Sequence, residues 1–352
     1  MLQSILFTHT DLDGAGCSIL FDLLMRSRGF SRGPLEDYMI VNSQIFDLDY
    51  TVINITEEYA DPETEIIFAD LCCNKDCMEY LVNTFNSIKV FDHHKSNTWV
   101  NEMANDHDNL ETHVYENNEY NVPESGTSIL WTKYRDELSN PIIIKFVNAI
   151  RSYDTFEFKH IPNDDAVFLN TYFVTMGMKK FCEVELEYLE ELLANDHSVM
   201  NHTGSCVYFV YSNLKTAVNI PEIIDPNHLK VVHSILANQD EKIQRIVDSD
   251  DDTVFRIVTK LDGMRMIVFN LIPGINMSEL ATRYLAVHCE YKVFAWFDIN
   301  HGGLSFRTIY DNIDVTKIAD KFNGGGHPKA AGGKIPPEVS LKIADAIKSI
   351  FK

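Results

Sequence analysis

Ile88-Lys89-Val90-Phe91-Asp92-His93-His94 runs apolar and then stops at three polar groups, and two earlier stretches do the same. These are Ile5-Leu6-Phe7-Thr8-His9-Thr10-Asp11 and Ile66-Ile67-Phe68-Ala69-Asp70. Short apolar runs of this kind are what parallel strands covered on both faces look like. The segments between them read as helices. Gly14 to Arg28 carries Ile19, Leu20, Leu23 and Leu24 at helical spacing and stops at Gly29, and Lys75 to Phe85 carries Met78, Leu81, Val82 and Phe85. Strand and helix alternating this way imply right-handed crossovers and a doubly wound, mainly parallel α/β sheet. Ligands of such sheets bind at the carboxyl ends of the strands, so all three polar clusters are expected at one edge.

Further along, helices are expected over Ser125 to Glu137, Ile142 to Arg151 and Met178 to Ala194. The last has an acidic face (Glu183, Glu185, Glu187, Glu190, Glu191) that reads as solvated surface. From about Ser198 to Pro226 the pattern weakens, as expected of a connection between domains, and a helix follows over His228 to Val247. Strands are expected at Val254 to Val258, Met264 to Leu271, Lys292 to Ile299 and Leu304 to Thr308, with helices at Met277 to His288 and Val315 to Phe322. The expected organisation is a catalytic α/β domain over 1–195, a connection and helix over 196–250, and a smaller α/β substrate-binding domain over 251–352.

Lys plus Arg number 30 and Asp plus Glu 52, so the formal charge of the 352-residue chain is 30 − 52 = −22. Gripping a long duplex needs a basic stripe to neutralise phosphates, so that class of partner is excluded. The longest apolar runs, such as Ile142 to Ile144, fall far short of the roughly 20 residues that span a bilayer. The first residues read as a strand rather than a signal peptide, and a cytoplasmic protein without a membrane partner is expected. Seven cysteines (Cys17, Cys72, Cys73, Cys77, Cys182, Cys206, Cys289) are an odd number, which fits reduced thiols. Cys72-Cys73 and Cys77 have no second pair at zinc-finger spacing, and burial as small apolar residues is expected.

His9-x-Asp11-x-Asp13-Gly14, taken alone, is a turn with Asp13 capping the next helix. Its convergence with Asp70 and with Asp92-His93-His94 changes that reading, because carboxylates crowded at one edge repel one another unless cations are present. Carboxylates with a minority of imidazoles and no thiolate suit manganese first, with magnesium or cobalt as substitutes, and the donors outnumber the needs of one ion. Two divalent ions about 3.5–4 Å apart are the apparatus of in-line phosphoryl displacement, so phosphoester hydrolysis is the expected reaction.

These stretches, with Asp154 in Arg151-Ser152-Tyr153-Asp154, resemble the four motifs of the DHH phosphoesterase superfamily. Gly324-Gly325-Gly326-His327-Pro328-Lys329-Ala330-Ala331-Gly332 resembles the glycine-rich signature of the DHH-associated C-terminal domain, with Ser305-Phe306-Arg307 matching its phosphate-contacting strand. The resemblance implies that His9 and Asp11 hold one metal, that Asp13, His93 and Asp154 hold the other, and that Asp70 bridges them. It further implies that Asp92 orients an imidazole and that His94 faces the scissile phosphate as hydrogen-bond donor or leaving-group acid.

The consecutive glycines have a physical sense of their own, since backbone N–H groups without a neighbouring Cβ can approach an anion. Arg307, His327 and Lys329 would add charge-assisted donors to that cradle. His113, His160, His202 and His301 match no motif and read as structural or surface residues. Within the superfamily, the glycine-rich His motif disfavours a pyrophosphatase and the acidity disfavours a long-strand exonuclease. The compact start resembles the branch that degrades nano-RNA. Hydrolysis of RNA of about two to five nucleotides is therefore expected, with short single-stranded RNA or a small nucleotide as partner and a homodimer left open. The runner-up is a phosphodiesterase of cyclic nucleotides, cyclic dinucleotides or their linear products, or a 3′-phosphoadenosine 5′-phosphate phosphatase. A binding module without catalysis is the minority alternative, because a degenerate member would be expected to lack ligands that are all filled here.

Overall fold

The computed structural model describes residues 2–115, 117, 121–159, 161, 163–195, 223, 226–248, 256–261, 263–272, 275–298, 302–335 and 339. The chain divides into two compact units, Met1–His233 and Ser234–Lys352.

In the first unit strands and helices alternate: β1 (Ser4–Thr8), α1 (Leu12–Ser27), β2 (Tyr38–Asn42), α2 (Leu48–Tyr59), β3 (Glu65–Ala69), α3 (Lys75–Thr84), β4 (Ile88–Asp92), α4 (Trp99–Ala104) and β5 (Leu110–Val114). Helices α5 (Gly126–Lys133), α6 (Pro141–Asp154), α7 (Asp164–Met176) and α8 (Met178–Asn195) follow. The sheet has the order β2-β1-β3-β4-β5 and every pairing is parallel. The order reverses between β1 and β3, which is where a doubly wound sheet opens a crevice. His9 to Asp11 and Asp70 leave the two strands that flank it.

Both faces are covered, as the apolar runs require. Ile5, Phe7, Ile66, Phe68, Ile88 and Val90 pack on Leu48 and Val52 of α2, on Met78, Leu81 and Val82 of α3, and on Val100 of α4. Phe7 and Phe68 stack with ring centroids 5.5 Å apart. The alternate residues Leu6, Ile67 and Phe91 are buried on the opposite side, where α1 contacts β1, α5 contacts β3 and β4, and α6 packs on both helices. Helix α1 is buried from Leu12 through Met25, on all sides. A helix apolar all round must be enclosed, and α5, α6 and α8 enclose this one. The contact is close at Gly16, where a Cβ would lie 2.4 Å from Thr127 Oγ1 and 2.5 Å from Ile150 Cδ1.

Elements β2, α2, α4, β5 and α7 have no counterpart among the sequence expectations. Strand β5 shows why: as an edge strand it buries only Leu110 and Val114, while Glu111 and His113 sit at the surface. His113 stacks on Phe91 at 5.3 Å and pairs with Glu111, the structural role expected of it. His160, His202 and His301 lie outside the described residues, as does the expected connection from Ser198 to Pro226 apart from Ile223 and Pro226 itself.

The second unit begins inside α9 (Pro226–Asp248), between His233 and Ser234. Then come β6 (Arg256–Leu261), β7 (Met264–Asn270), α10 (Met277–Val287), β8 (Val293–Asp298), β9 (Gly303–Arg307), α11 (Thr316–Ala319), β10 (Gly325–His327) and β11 (Ala330–Lys334). Val254 and Phe255 of the expected first strand lie outside the described residues. The sheet order is β10-β11-β9-β8-β7-β6, with β7 and β8 parallel and the other pairs antiparallel. One face packs Ile267, Phe269 and Phe294 against Ile243, Ile246 and Val247 of α9 and Leu280 and Tyr284 of α10. The other packs Met266, Val293, Ala295 and Phe306 against Val315, Ile318 and Ala319.

The glycines of the C-terminal signature are not equivalent. At Gly324 a Cβ would lie 1.8 Å from the Gly332 carbonyl oxygen, and at Gly326, with φ +133°, 2.6 Å from that of Ala330. Strand packing alone demands glycine at both positions. At Gly325 a Cβ would meet nothing within 4 Å. Gly324→Ala should therefore destabilise the second unit by about 1–3 kcal/mol, the usual cost of overpacking, while Gly325→Ala should stay within about 0.5 kcal/mol of the parent. Urea denaturation followed by Trp296 fluorescence checks both, and equal losses would refute the distinction.

Candidate metal centre

The ends of β1, β3 and β4 deliver the polar groups to one edge of the parallel sheet. His9, Asp11 and Asp70 form one group whose ligand atoms lie within 4.8 Å of one another, and Asp13, His93 and Asp154 form a second. Asp70 faces both: its Oδ2 is 3.9 Å from His9 Nδ1 and its Oδ1 is 3.4 Å from His93 Nε2. His93 Nε2 is also 3.3 Å from Asp154 Oδ2 and 3.9 Å from Asp13 Oδ2.

Each carboxylate is held differently. Asp11, rather than Asp13, caps α1: its Oδ1 accepts the Gly14 N–H at 3.0 Å and its Oδ2 pairs with His9 Nδ1 at 2.8 Å. Burial alone would raise Asp11, but the charge and hydrogen bond of His9 and the Gly14 N–H pull it below the ordinary carboxylate range. Asp13 is freed from capping and reaches across to the start of α5, where the Gly126 and Thr127 N–H groups donate to its oxygens at 2.6 and 2.9 Å. Helix N-termini are natural anion sites. Asp154 ends α6, at the negative pole of that helix dipole, where a carboxylate is disfavoured unless a cation is near.

Asp70 sits in the left-handed region at φ 62°, conformationally costly for a residue with a Cβ. Its own N–H is tied to the Phe91 carbonyl at 2.9 Å. Gly126 is the counterpart of that placement, since a Cβ there would lie 2.5 to 2.8 Å from Asp70 Cβ, Cα and N.

Burial and the surrounding Asp13 and Asp11 carboxylates push both Asp70 and Asp154 well above the usual range. Asp70 Oδ2 and Asp154 Oδ2 are buried and without a hydrogen-bond partner. Five carboxylates against three imidazoles, two of them with orphaned oxygens, form a donor set that fits divalent cations. His9, Asp11, Asp13, Asp70, His93 and Asp154 are the residues that can hold them.

Asp92 differs from the other carboxylates that share its edge. Its Oδ1 accepts the His93 N–H at 2.7 Å, the His94 N–H at 3.2 Å and His94 Nδ1 at 2.8 Å, while Oδ2 accepts Asn97 Nδ2 at 2.5 Å. Burial opposes ionisation, but the His94 charge and these donors hold Asp92 at about 2. The carboxylate is thus saturated by donors and fixes the His94 ring.

Asn97, Gly126, Thr127 and Arg151 carry weight that the motifs do not announce. Arg151 holds the turn before α5, donating from Nη1 to the Pro123 carbonyl at 3.0 Å and from Nη2 to Glu157 at 2.9 Å. The detectable signal was Ser125-Gly126-Thr127-Ser128, a helix start whose exposed N–H groups needed an acceptor; Ser125 and Ser128 close a capping box there. In the second unit Arg307 lies with Cζ 4.8 Å from the Trp296 ring centroid, its Nε donating to Ser278 Oγ at 3.1 Å. Gly324, Gly325, Gly326 and His327 fall on or beside β10. Lys329 Nζ is engaged by Asp311 at 2.6 Å and by the Ile309 carbonyl at 3.1 Å, turned to a surface ion pair.

Asn97→Ala removes a donor to an ionised buried carboxylate and should cost about 1.5–3 kcal/mol at neutral pH. A depressed folded pKa contributes stability above the unfolded value of 3.8 and loses it as pH falls toward about 2. The deficit of the variant should therefore be constant from pH 7 to about 4 and shrink below that. Denaturant titrations of both proteins across this range measure it, and a deficit that grows on acidification would contradict the assignment.

Residues 263–352 match the DHHA1 domain family. Oligoribonuclease NrnB of Bacillus subtilis (strain 168) is 25% identical over 355 residues, covering 97% of this chain and 76% of that protein. Among solved structures, the chain is similar to the pGpG-specific phosphodiesterase PggH from Vibrio cholerae (14% identity, TM-score 0.44, covering 98% of this chain and 97% of that one). It is also similar to RecJ in complex with Mn2+ from Thermus thermophilus (14% identity, TM-score 0.47, covering 99% of this chain and 52% of that one). The DHHA1 match covers the C-terminal stretch of the second unit, and the ordered Asp-and-His stretches at the edge of the parallel sheet resemble the motifs of the DHH phosphoesterase superfamily.

Proposed function

We propose that this protein is a phosphodiesterase that hydrolyses short RNA oligonucleotides to mononucleotides with two divalent ions, manganese foremost. The observation that carries the reading is the pair of orphaned buried oxygens, Asp70 Oδ2 and Asp154 Oδ2, inside a cluster otherwise furnished with donors. The similarity to a protein called an oligoribonuclease along 97% of the chain supports the substrate class. The free thiols among the described residues suit a reducing compartment, and the cytoplasm is the proposed location. Among the described residues no helix is long and apolar enough to cross a membrane.

His9 and Asp11 would hold one ion, Asp13, His93 and Asp154 the other, and Asp70 both. When bound, such a pair orients the attacking and leaving oxygens of an in-line displacement and brings the pKa of water toward neutrality. The protein's own groups do the remaining work. Asp92 anchors Nδ1 of His94, so that Nε2 is the nitrogen presented to substrate, and its negative charge stabilises the imidazolium that donates a proton to the leaving oxygen. The donors around Asp92 keep it ionised. The His94 side chain is 17% exposed and His93 2%, the difference expected of a group that meets substrate and one that meets only the ions. In the second unit Arg307, Gly325 and His327 would take a terminal phosphate. Trp296 and Ser278 pre-orient the Arg307 guanidinium and lower the entropy lost on binding.

Asp70→Asn keeps a residue that tolerates positive φ while removing the charge. kcat should fall at least a hundredfold, about 2.7 kcal/mol of barrier, together with the bound metal counted by elemental analysis. A variant that keeps both ions and more than about a hundredth of kcat would sink the bridging role.

Length selection follows from charge. At −22 the chain repels a polyanion wherever cations do not invert the field, so each nucleotide beyond the site adds repulsion without contact. kcat/KM over an RNA ladder from dinucleotide to about twenty-mer should fall with length, with a salt slope of about −1.5 to −2 if two or three phosphates are engaged. A flat or rising profile, or a steep slope, would instead favour a long-strand exonuclease.

A further inference from the structure

The cysteines after β3 gain a partner that their spacing does not reveal. One carboxylate oxygen of Asp49, on α2, lies within 4.8 Å of the sulfurs of Cys73 and Cys77, which are themselves within that distance of each other. The two thiols are buried, at 2% and 4% exposure, while Asp49 lies at the edge of solvent. The carboxylate is locked onto the turn that carries the thiols. Asp49 Oδ1 accepts the Asn74 N–H at 2.9 Å and Oδ2 accepts Asn74 Nδ2 at 2.6 Å, while Asn74 Oδ1 caps α3 by accepting the Cys77 N–H at 2.9 Å.

We propose that Asp49, Cys73 and Cys77 form a binding site for one zinc ion, with its fourth position open to water. Two sulfurs and one carboxylate are donors that a borderline-soft ion takes and that manganese or magnesium does not prefer, so the site is chemically separate from the oxygen-and-imidazole cluster. A tetrahedral zinc with bonds of about 2.3 Å to sulfur and 2.0–2.2 Å to oxygen spaces its ligand atoms about 3.5–3.8 Å apart. The described arrangement reaches that by a contraction of about 1 Å, within the range of small side-chain rotations. The Cys73 thiol is raised by its hydrogen bond with Cys72 and by burial, and Cys77 by its hydrogen bond with Cys73 and by burial, so both are protonated before the ion arrives. Binding forms two Zn–S bonds and one Zn–O bond and releases one proton from each thiol to solvent, leaving oxidation states unchanged. The N-terminal pole of α3 favours the negative charge so formed at Cys77. An ion here would tie α2 to the loop that begins at Asp70, making the site a brace for that loop.

Cobalt substitution tests the assignment without reference to turnover, because only sulfur ligands give a thiolate-to-cobalt charge-transfer band in the near ultraviolet. The full chain, stripped of metal and reduced with a phosphine, is titrated with Co2+ and then with Zn2+. The band should saturate with one sulfur-bound ion per chain, besides any cobalt taken up by the oxygen-and-imidazole cluster, and be bleached by zinc. It should vanish in Cys73→Ala and Cys77→Ala, weaken at least tenfold in affinity in Asp49→Asn, and persist in Asp70→Asn. Absence of the band in the parent protein, or its survival in both cysteine variants, would overturn the proposal. If neither cysteine variant folds, the partly exposed Asp49→Asn decides: affinity unchanged from the parent refutes the site.

Discussion

Five carboxylates converge on one sheet edge, and their mutual repulsion is the constraint around which the first unit is arranged. Local hydrogen bonding relieves part of it, at Asp92, Asp11 and Asp13. Asp92 is saturated by Asn97 and the His93–His94 turn, and Asp11 by His9 and the Gly14 N–H. The remaining negative charge has to be met by something the chain does not contain. Burial and the neighbouring Asp13 charge raise Asp70 and Asp154, the expected response of carboxylates crowded together away from water.

The helices are disposed to tolerate this charge. Asp13 lies in the first turn of α1 and is met by the first N–H groups of α5, so two positive helix poles point at one carboxylate. Close approach is possible only because Gly126 has no side chain where Asp70 turns into a left-handed conformation. Backbone cost at Asp70 and the missing Cβ at Gly126 are thus two halves of one arrangement, which orients the Asp70 oxygens toward His9 on one side and His93 on the other.

The sheet and the cluster were legible because burial on both faces writes continuous apolar runs, and because those runs end abruptly at charge. Strand β5 was not legible: an edge strand that buries Leu110 and Val114 alone carries no such run. Asn97, Gly126 and Thr127 were hidden for a different reason. Their contribution is a backbone or amide hydrogen bond to a carboxylate, five residues away for Asn97 and more than a hundred for Gly126 and Thr127, and residue type alone does not announce it. Asp49 is the same case, brought to Cys73 and Cys77 by the packing of α2 beside α3. The glycine signature was read as a cradle for phosphate, yet Gly324 and Gly326 answer first to the neighbouring strand. Of the three, Gly325 alone has space where a Cβ would stand.

The pattern of donors also separates residues that the sequence presents as equals. A carboxylate whose lone pairs are already engaged by N–H groups orients its neighbours, and one with an unengaged buried oxygen is built to bind something else. By that criterion Asp92 belongs with the imidazole it steers, while Asp70 and Asp154 are the carboxylates with oxygens left to offer a cation. Asp11 and Asp13 stand between, each fixed by backbone N–H groups yet facing the cluster. Fixing a carboxylate in this way removes its rotamer freedom in advance, so less entropy would be lost on binding a cation. The same reasoning explains why α5 must begin where it does. A shift of its first turn by one residue would withdraw the Gly126 and Thr127 N–H groups from Asp13 and put a Cβ against the turn at Asp70, so the placement of a helix start governs the geometry of a centre to which it gives no side-chain ligand.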